Sequence, residues 1–210
     1  ALSEVPGAEA IVIVVHGLGG GEGSEYAVRA ARAISTAGLS CLRLNLRGAD
    51  GQTGDFYHAG LTADLAAALS SPEVLRYQRR YVLGYSLGGH LALRLLTVPG
   101  SPRPDATAAV CSPVDLSACV NAIDAPLAWL YRIYLLVSLR RQYARCCALR
   151  EQPVSVARAR RIRTIREWDD TIVAPRHGFE SAEDYYARAS VGPRLEQLEG
   201  RALLVPSEGD

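Results

Sequence analysis

At 210 residues, with 49% hydrophobic and 21% charged residues, the sequence is long enough for one α/β domain with a real core, or one such domain carrying a sizeable insertion. A net charge of +1 gives no global field toward nucleic acid or acidic lipid. All 23 basic residues are arginine, methionine is absent, and the five cysteines (Cys41, Cys111, Cys119, Cys146 and Cys147) form no C-x-x-C pair, a pattern expected of reduced thiols in a cytoplasmic protein.

No charged-then-apolar leader opens the sequence, and a chain without methionine is expected to be a fragment of a longer one. "IVIVV" at 11–15 is a β-branched run with no polar interruption, as a strand buried on both faces of a parallel sheet requires. A glycine-rich loop follows, then a helix over "SEYAVRAARAISTAG" with Ser24 as N-cap and Gly38 as stop. "LSCLRLNL" (39–46) alternates as a second strand, and "LTADLAAALS" reads as a second helix. "RYVLG" (80–84) is a third strand, "LGGHLALRLLTV" a third helix halted by Pro99 and Gly100, and "ATAAVCS" (106–112) a fourth strand. This β-α alternation predicts a parallel sheet with right-handed crossovers.

From Leu116 the rhythm changes to helical, arginine-rich segments, and a strand signal returns only at "RALLVPSEGD" (201–210). The pattern predicts a core over residues 1–115, a helical lid inserted at 116–198, and a core strand at 199–210, with the remainder of the core absent. The greasy stretch "APLAWLYRIYLLVSL" (125–139), interrupted by Arg132, is shorter than the roughly 20 apolar residues a bilayer span needs. It reads as a core or lid helix, with peripheral lipid contact through the lid left open.

"YVLGYSLGGHLAL" (81–93) sets Ser86 between Gly84 and Gly88, directly after a strand and before a helix. In a strand–turn–helix elbow a side chain at either glycine would collide with the neighbouring element, and the serine is left strained with its Oγ clear of the sheet. The Leu87 amide then lies at a helix N-terminus and suits an oxyanion. "VVHGLGGG" (14–21) opens at the same sheet edge and offers the Leu18 amide, flanked by Gly17 and Gly19, as a second donor, with His16 orienting the loop. A dinucleotide reading of that loop needs a third glycine at position 22, which is Glu22, and an acid where Asn45 and Arg47 stand.

Together, "VHGLGG", "NLRGADG", "YHAGLTADL", "GYSLGGH", "IRTIREWDDTIVAPRHGF" and "EDYYARAS" resemble the α/β-hydrolase superfamily, and within it the YheT-like branch, the AB hydrolase 4 family. The resemblance implies an α/β-hydrolase fold, a mostly parallel sheet with helices on both faces and an inserted helical lid. It implies Ser86 as nucleophile of a serine esterase acting on carboxylic esters, acyl-glycerol or other lipid-like or medium-chain esters among them. It aligns the triad acid with Asp210; Glu208 falls two residues early, and Asp115, after the fourth strand, is a second candidate.

No histidine follows Asp210. His90 reads as a packed or capping residue, and His58 and His177 as loop and lid structure, so the base is expected beyond residue 210. A catalytically inactive relative that binds an acyl ligand or a partner is the alternative. No metal or organic cofactor is implied, and the oligomeric state is not readable. The arginines at 158, 160, 161, 163 and 166 have no aromatic interleaving before Trp168, so they read as a salt-bridged lid helix rather than a nucleic-acid surface.

Overall fold

The unbroken β-branched run near the N-terminus occupies the middle of the sheet, where a strand needs apolar residues on both faces. The computed structural model describes residues 1–207; the proposed acid Asp210, and Glu208, lie outside the described residues. In chain order the first elements are β1 (Leu2–Ser3), β2 (Ala10–Val15), α1 (Glu25–Thr36), β3 (Ser40–Leu44), α2 (Ala63–Leu69), α3 (Pro72–Leu75), β4 (Arg79–Tyr85), α4 (Leu87–Leu96) and β5 (Ala106–Val110). Then follow α5 (Leu116–Asp124), α6 (Trp129–Leu149), α7 (Val156–Ala159), α8 (Ile165–Trp168), α9 (Ala174–His177), α10 (Ala182–Ala189) and β6 (Ala202–Val205).

The strands lie in the order β1-β3-β2-β4-β5-β6, all pairs parallel except β1 with β3. This is the mostly parallel sheet that the motifs imply. All six residues of β2 are buried. Nine of the ten residues of α4 are buried, Arg94 alone reaching outward, while α1 buries Ala27 and Ala31 against Val12, Val14 and Cys41. From β2 the chain steps to β3 on one side and returns to place β4 on the other. The order therefore reverses between β2 and β4, and a ligand crevice opens at the carboxyl ends of strands at such a reversal. The outermost strand β6 is exposed at all four residues.

One element is added and two local expectations change. The two-residue β1 pairs antiparallel at the edge, too short to leave a periodic signal. The Ser24 hydroxyl does not cap α1; it accepts from the Gly21 amide (3.1 Å) and tightens the preceding loop instead. The arginine-rich stretch is two single-turn helices, α7 and α8, rather than one. Ser155 caps the first and Thr164 the second, each accepting an amide three residues on.

The chain divides into two compact units: residues 1–46, 61–113 and 191 onward form the sheet unit, and 47–60 with 114–190 form a helical unit. The helical unit thus takes in a loop that chain order keeps with the sheet. The Ala59 amide donates to the Tyr185 hydroxyl (2.8 Å), Arg176 Nε meets Asp55 Oδ1 at 3.0 Å, and a Cβ on Gly48 would lie 3.2 Å from Cys146 Sγ. Residues 191–198 belong to the sheet unit, whose next residue ties back to α4: the Glu199 amide donates to Leu96 O (3.0 Å), and its carboxylate pairs with Arg103 at 2.8 Å.

Asp169, first residue of a π-helical turn at Asp169–Val173, is 9% exposed and accepts from the Tyr186 hydroxyl at 2.7 Å. Burial pushes its carboxyl from 3.8 up to about 7, against the opposing hydrogen bond from Tyr186. An acid with a raised folded-state pKa is protonated in the fold where it is ionised in the unfolded chain. Between about pH 4 and 7 the folded chain therefore holds the extra proton, and raising the pH removes stability, by at most about 1.4 kcal/mol per pH unit. Unfolding titrations of the wild type and Asp169→Asn from pH 4 to 8 should show the wild type losing stability relative to the variant as pH rises. A constant difference across that range would mean that Asp169 is ionised in the fold.

Candidate active site

Strand β4 ends at Tyr85 and α4 begins at Leu87, so Ser86 alone makes the reversal, with φ 50° and ψ −118°. That conformation is strained for a side-chain-bearing residue. It is held from both sides: the Ser86 amide donates to Val110 O (2.8 Å), and its carbonyl accepts from the His90 amide (3.0 Å). The turn is tight because three glycines let backbones touch. A Cβ on Gly84 would lie 2.4 Å from Gly89 N and Cα, and one on Gly88 would lie 2.3 Å from Val15 O and 2.6 Å from His16 O. A Cβ on Gly89 would meet Gly84 O at 2.9 Å and the Ser112 hydroxyl at 1.9 Å.

The loop after β2 comes directly against this turn, since a Cβ on Gly17 would lie 3.2 Å from Ser86 Cβ and 3.3 Å from Tyr85 O. Gly17 N–H donates to the Tyr26 hydroxyl (2.9 Å), and the Tyr26 ring packs on Tyr85 with centroids 5.0 Å apart. Farther along, the Glu22 amide donates to Asn45 Oδ1 (2.7 Å), so the asparagine that stands in place of a ribose-binding acid pins the loop. Among the described residues the amides of Leu18 and Leu87 donate to no protein acceptor. Two unused donors, one from the Gly17–Gly20 turn and one from the first residue of α4, are what an oxyanion-binding arrangement requires.

His16 is 1% exposed. Its Nδ1 lies 2.8 Å from Gly17 O, and its Nε2 accepts from the Leu46 amide at 3.2 Å, which assigns the proton to Nδ1. Burial lowers its pKa, with the Gly17 bond opposing, and the ring ties the loop to Leu46, two residues past the end of β3. His90 is fully buried, with Nδ1 2.7 Å from Pro113 O. In the helical unit, the rings of His58 and His177 meet at a tilt of 41°, centroids 4.4 Å apart, within a cluster that includes Phe56, Phe179 and Tyr185. Burial, the largest effect, lowers the His177 pKa against the opposing charge of Asp55. Asp115 caps α5, accepting from the Ala118 amide at 3.0 Å. Tyr26 and Asn45 are the residues that sequence reasoning missed as supports of the site. Only their position one helix turn or one strand end from the glycine loop could have suggested them.

A family model for the alpha/beta hydrolase family matches residues 12–209, and the chain belongs to that family. Over 206 residues it is 32% identical to YheT of Escherichia coli (strain K12), which carries a provisional esterase name; the match covers 95% of this chain and 61% of YheT. It is 27% identical over 205 residues to human phospholipase ABHD3, covering 95% of this chain and 50% of that protein. The chain therefore spans only about half to three-fifths of the length of these relatives. These likenesses agree with the YheT-like branch that the motifs imply. A hydrolase from Pseudomonas aeruginosa PA01 shares the fold, with a TM-score of 0.53 at 19% identity, covering 99% of this chain and 74% of that one.

The glycine contacts and the Ser86 backbone make opposite predictions for stability. Gly88→Ala should destabilise the fold by about 3 kcal/mol or more, because the added methyl meets main-chain oxygens that cannot turn aside. Ser86→Gly should be more stable than Ser86→Ala by about 1 kcal/mol, since glycine adopts positive φ without strain. Urea unfolding midpoints test both. A Gly88→Ala midpoint equal to that of the wild type would mean that α4 does not press on β2.

Proposed function

We propose that this chain carries the nucleophile and oxyanion-binding part of a serine hydrolase that cleaves carboxylic esters through an acyl-enzyme. The observation that carries the reading is the strained Ser86 at the start of α4, set against a loop with an unused amide at Leu18 and beside one at Leu87. In this reading Ser86 Oγ attacks the ester carbonyl, its proton passes to a histidine, and the carbonyl oxygen takes up negative charge between the two amides. Collapse expels the alcohol with that proton and leaves the acyl group on Ser86. Water, deprotonated by the same base, then releases the acid.

Asp210 is the proposed orienting acid, on the motif alignment. Asp115 is the weaker candidate, because its carboxylate is spent on the cap of α5. With Asp210 as the acid, the chain order Ser, acid, His assigns the role of base to a histidine that follows it. His16 is unsuited to the role, since both ring nitrogens are engaged. A lipid-like ester substrate is favoured by the phospholipase name of one relative.

In a chain extended through the downstream histidine, a fluorophosphonate probe should label Ser86, and Ser86→Ala should abolish the labelling. Labelling that survives the substitution would remove Ser86 from the role, and absence of labelling in the extended wild type would favour a binding protein on the same fold. The 210-residue chain should hydrolyse p-nitrophenyl butyrate no faster than its Ser86→Ala variant. Loss of a triad base costs on the order of 10⁶ in turnover, leaving what the oxyanion donors and binding supply, roughly 10³ to 10⁴ over water. Ordinary enzyme rates from that chain would place the base among its four histidines.

A further inference from the structure

The helical unit carries an apolar corner that the proposed ester chemistry does not use. The axes of α5 and the Pro126–Leu149 stretch meet at 74°. At the apex Leu127 is 99% exposed, and Trp129, Leu130, Tyr131, Ile133 and Tyr134 are 49–65% exposed. The opposite face of α6 is spoken for, because Leu135, Leu136, Leu139, Tyr143 and Cys146 are buried. An apolar patch that is rich in Trp and Tyr has the composition of a surface seated at a membrane–water boundary, where the rings bridge apolar and wet environments. No single helix among the described residues is long and apolar enough to cross a membrane; α5 and the Pro126–Leu149 stretch reach that length and composition only jointly, across the 74° bend, and the inner face of α6 is already buried in protein.

Charge supplies the second observation. From Pro126 to Arg150 there are five arginines (132, 140, 141, 145 and 150) and no aspartate or glutamate. Two of the five are turned to structural work. Arg132 donates to the carbonyls of Ile123, Asp124 and Ala125, closing the C-terminus of α5, and Arg140 donates to Ile162 O. That leaves Arg141, Arg145 and Arg150 exposed, with no ion pair among the described residues. Residues 130, 134, 141 and 145 share one face of α6 by helical spacing, and Arg141 follows Leu130 by about 16 Å along the axis. An apex buried about 5–10 Å into the headgroup boundary would hold those arginines at the level of lipid phosphates.

We propose that this corner is a docking surface for a membrane carrying anionic lipid, with the apex inserted and Arg141 and Arg145 against headgroups. A twofold pairing of α6 with a second copy is disfavoured, because the stretch offers no acid to meet its own arginines. The inference is independent of the chemistry proposed at Ser86.

The test is flotation of the protein with phosphatidylcholine vesicles, with and without phosphatidylglycerol, and the fluorescence of Trp129 read beside that of the buried Trp168. Binding should require phosphatidylglycerol, weaken with salt and blue-shift the emission. The Arg141→Glu/Arg145→Glu variant should bind on the order of tenfold or more weakly, each surface arginine contributing about fivefold. Leu130→Glu/Tyr134→Glu should abolish binding. Leu127→Glu, at a side chain too exposed to matter to folding, should weaken it and so serves should the double variant unfold. Ser86→Ala should float as the wild type does, which separates this surface from the ester chemistry. Failure of the wild type to float, flotation unaffected by these substitutions, or a dimer lost in Leu127→Glu in place of vesicle binding would overturn the proposal.

Discussion

Everything at the candidate site depends on how closely the first turn of α4 lies against the main chains of β2 and β4. The contact is backbone on backbone, and three glycines are what permit it: Gly84 beneath the turn, Gly88 against Val15 and His16, and Gly89 against Gly84. With α4 so close, the chain has one residue in which to turn from strand to helix, and Ser86 takes the positive φ that this demands. The strain of such a residue, about 1–3 kcal/mol, persists only where the surroundings over-determine it. Here they do so through two main-chain hydrogen bonds and a helix buried on all but one of its residues.

The same contact explains why the donors are left open. A helix N-terminus carries amides without helical partners, and starting α4 hard against the sheet leaves the Leu87 amide with none from a loop either. The β2 loop comes so near the turn that even a Cβ on Gly17 would crowd Ser86 Cβ at 3.2 Å and Tyr85 O at 3.3 Å. Tyr26 and His16 hold the loop there, one through the Gly17 amide and the other through the Gly17 carbonyl. Donors held in place before substrate arrives need little reorganisation as charge develops, and this is the main source of electrostatic stabilisation in such sites.

Much of this was legible in the residues, and the reason is physical. The apolar run at 11–15 and the glycine spacing around Ser86 report burial and close approach, which are local demands written into consecutive residues. Tyr26 and Asn45 act across nine and 23 residues of sequence, through single hydrogen bonds that leave no pattern. The helical unit was legible only as helical. Its single-turn helices depend on caps at Ser155 and Thr164, and on Asp124, whose carboxylate accepts the Ile165 and Arg166 amides at 2.8 and 3.0 Å. A charge-rich stretch read by composition suggests one solvated helix, because composition does not record where a cap interrupts it.

The histidines show how a fold can spend catalytic residue types on structure. His16 follows the central strand, two residues before a proposed oxyanion donor, where a general base would be expected on proximity alone. Yet its two nitrogens bridge the Gly17 carbonyl and the Leu46 amide, so taking a proton at Nε2 would break the bond that fixes the loop. Burial opposes that protonation as well. A base must cycle between neutral and charged forms at each turnover, whereas a ring that fixes a donor loop must stay in one tautomer. The two roles are incompatible in one residue. The proposed oxyanion donors are therefore held by residues 15–26 and 84–90, with Asn45, Leu46 and Val110 behind them, and His16 serves there as a fixed tie and not as a base.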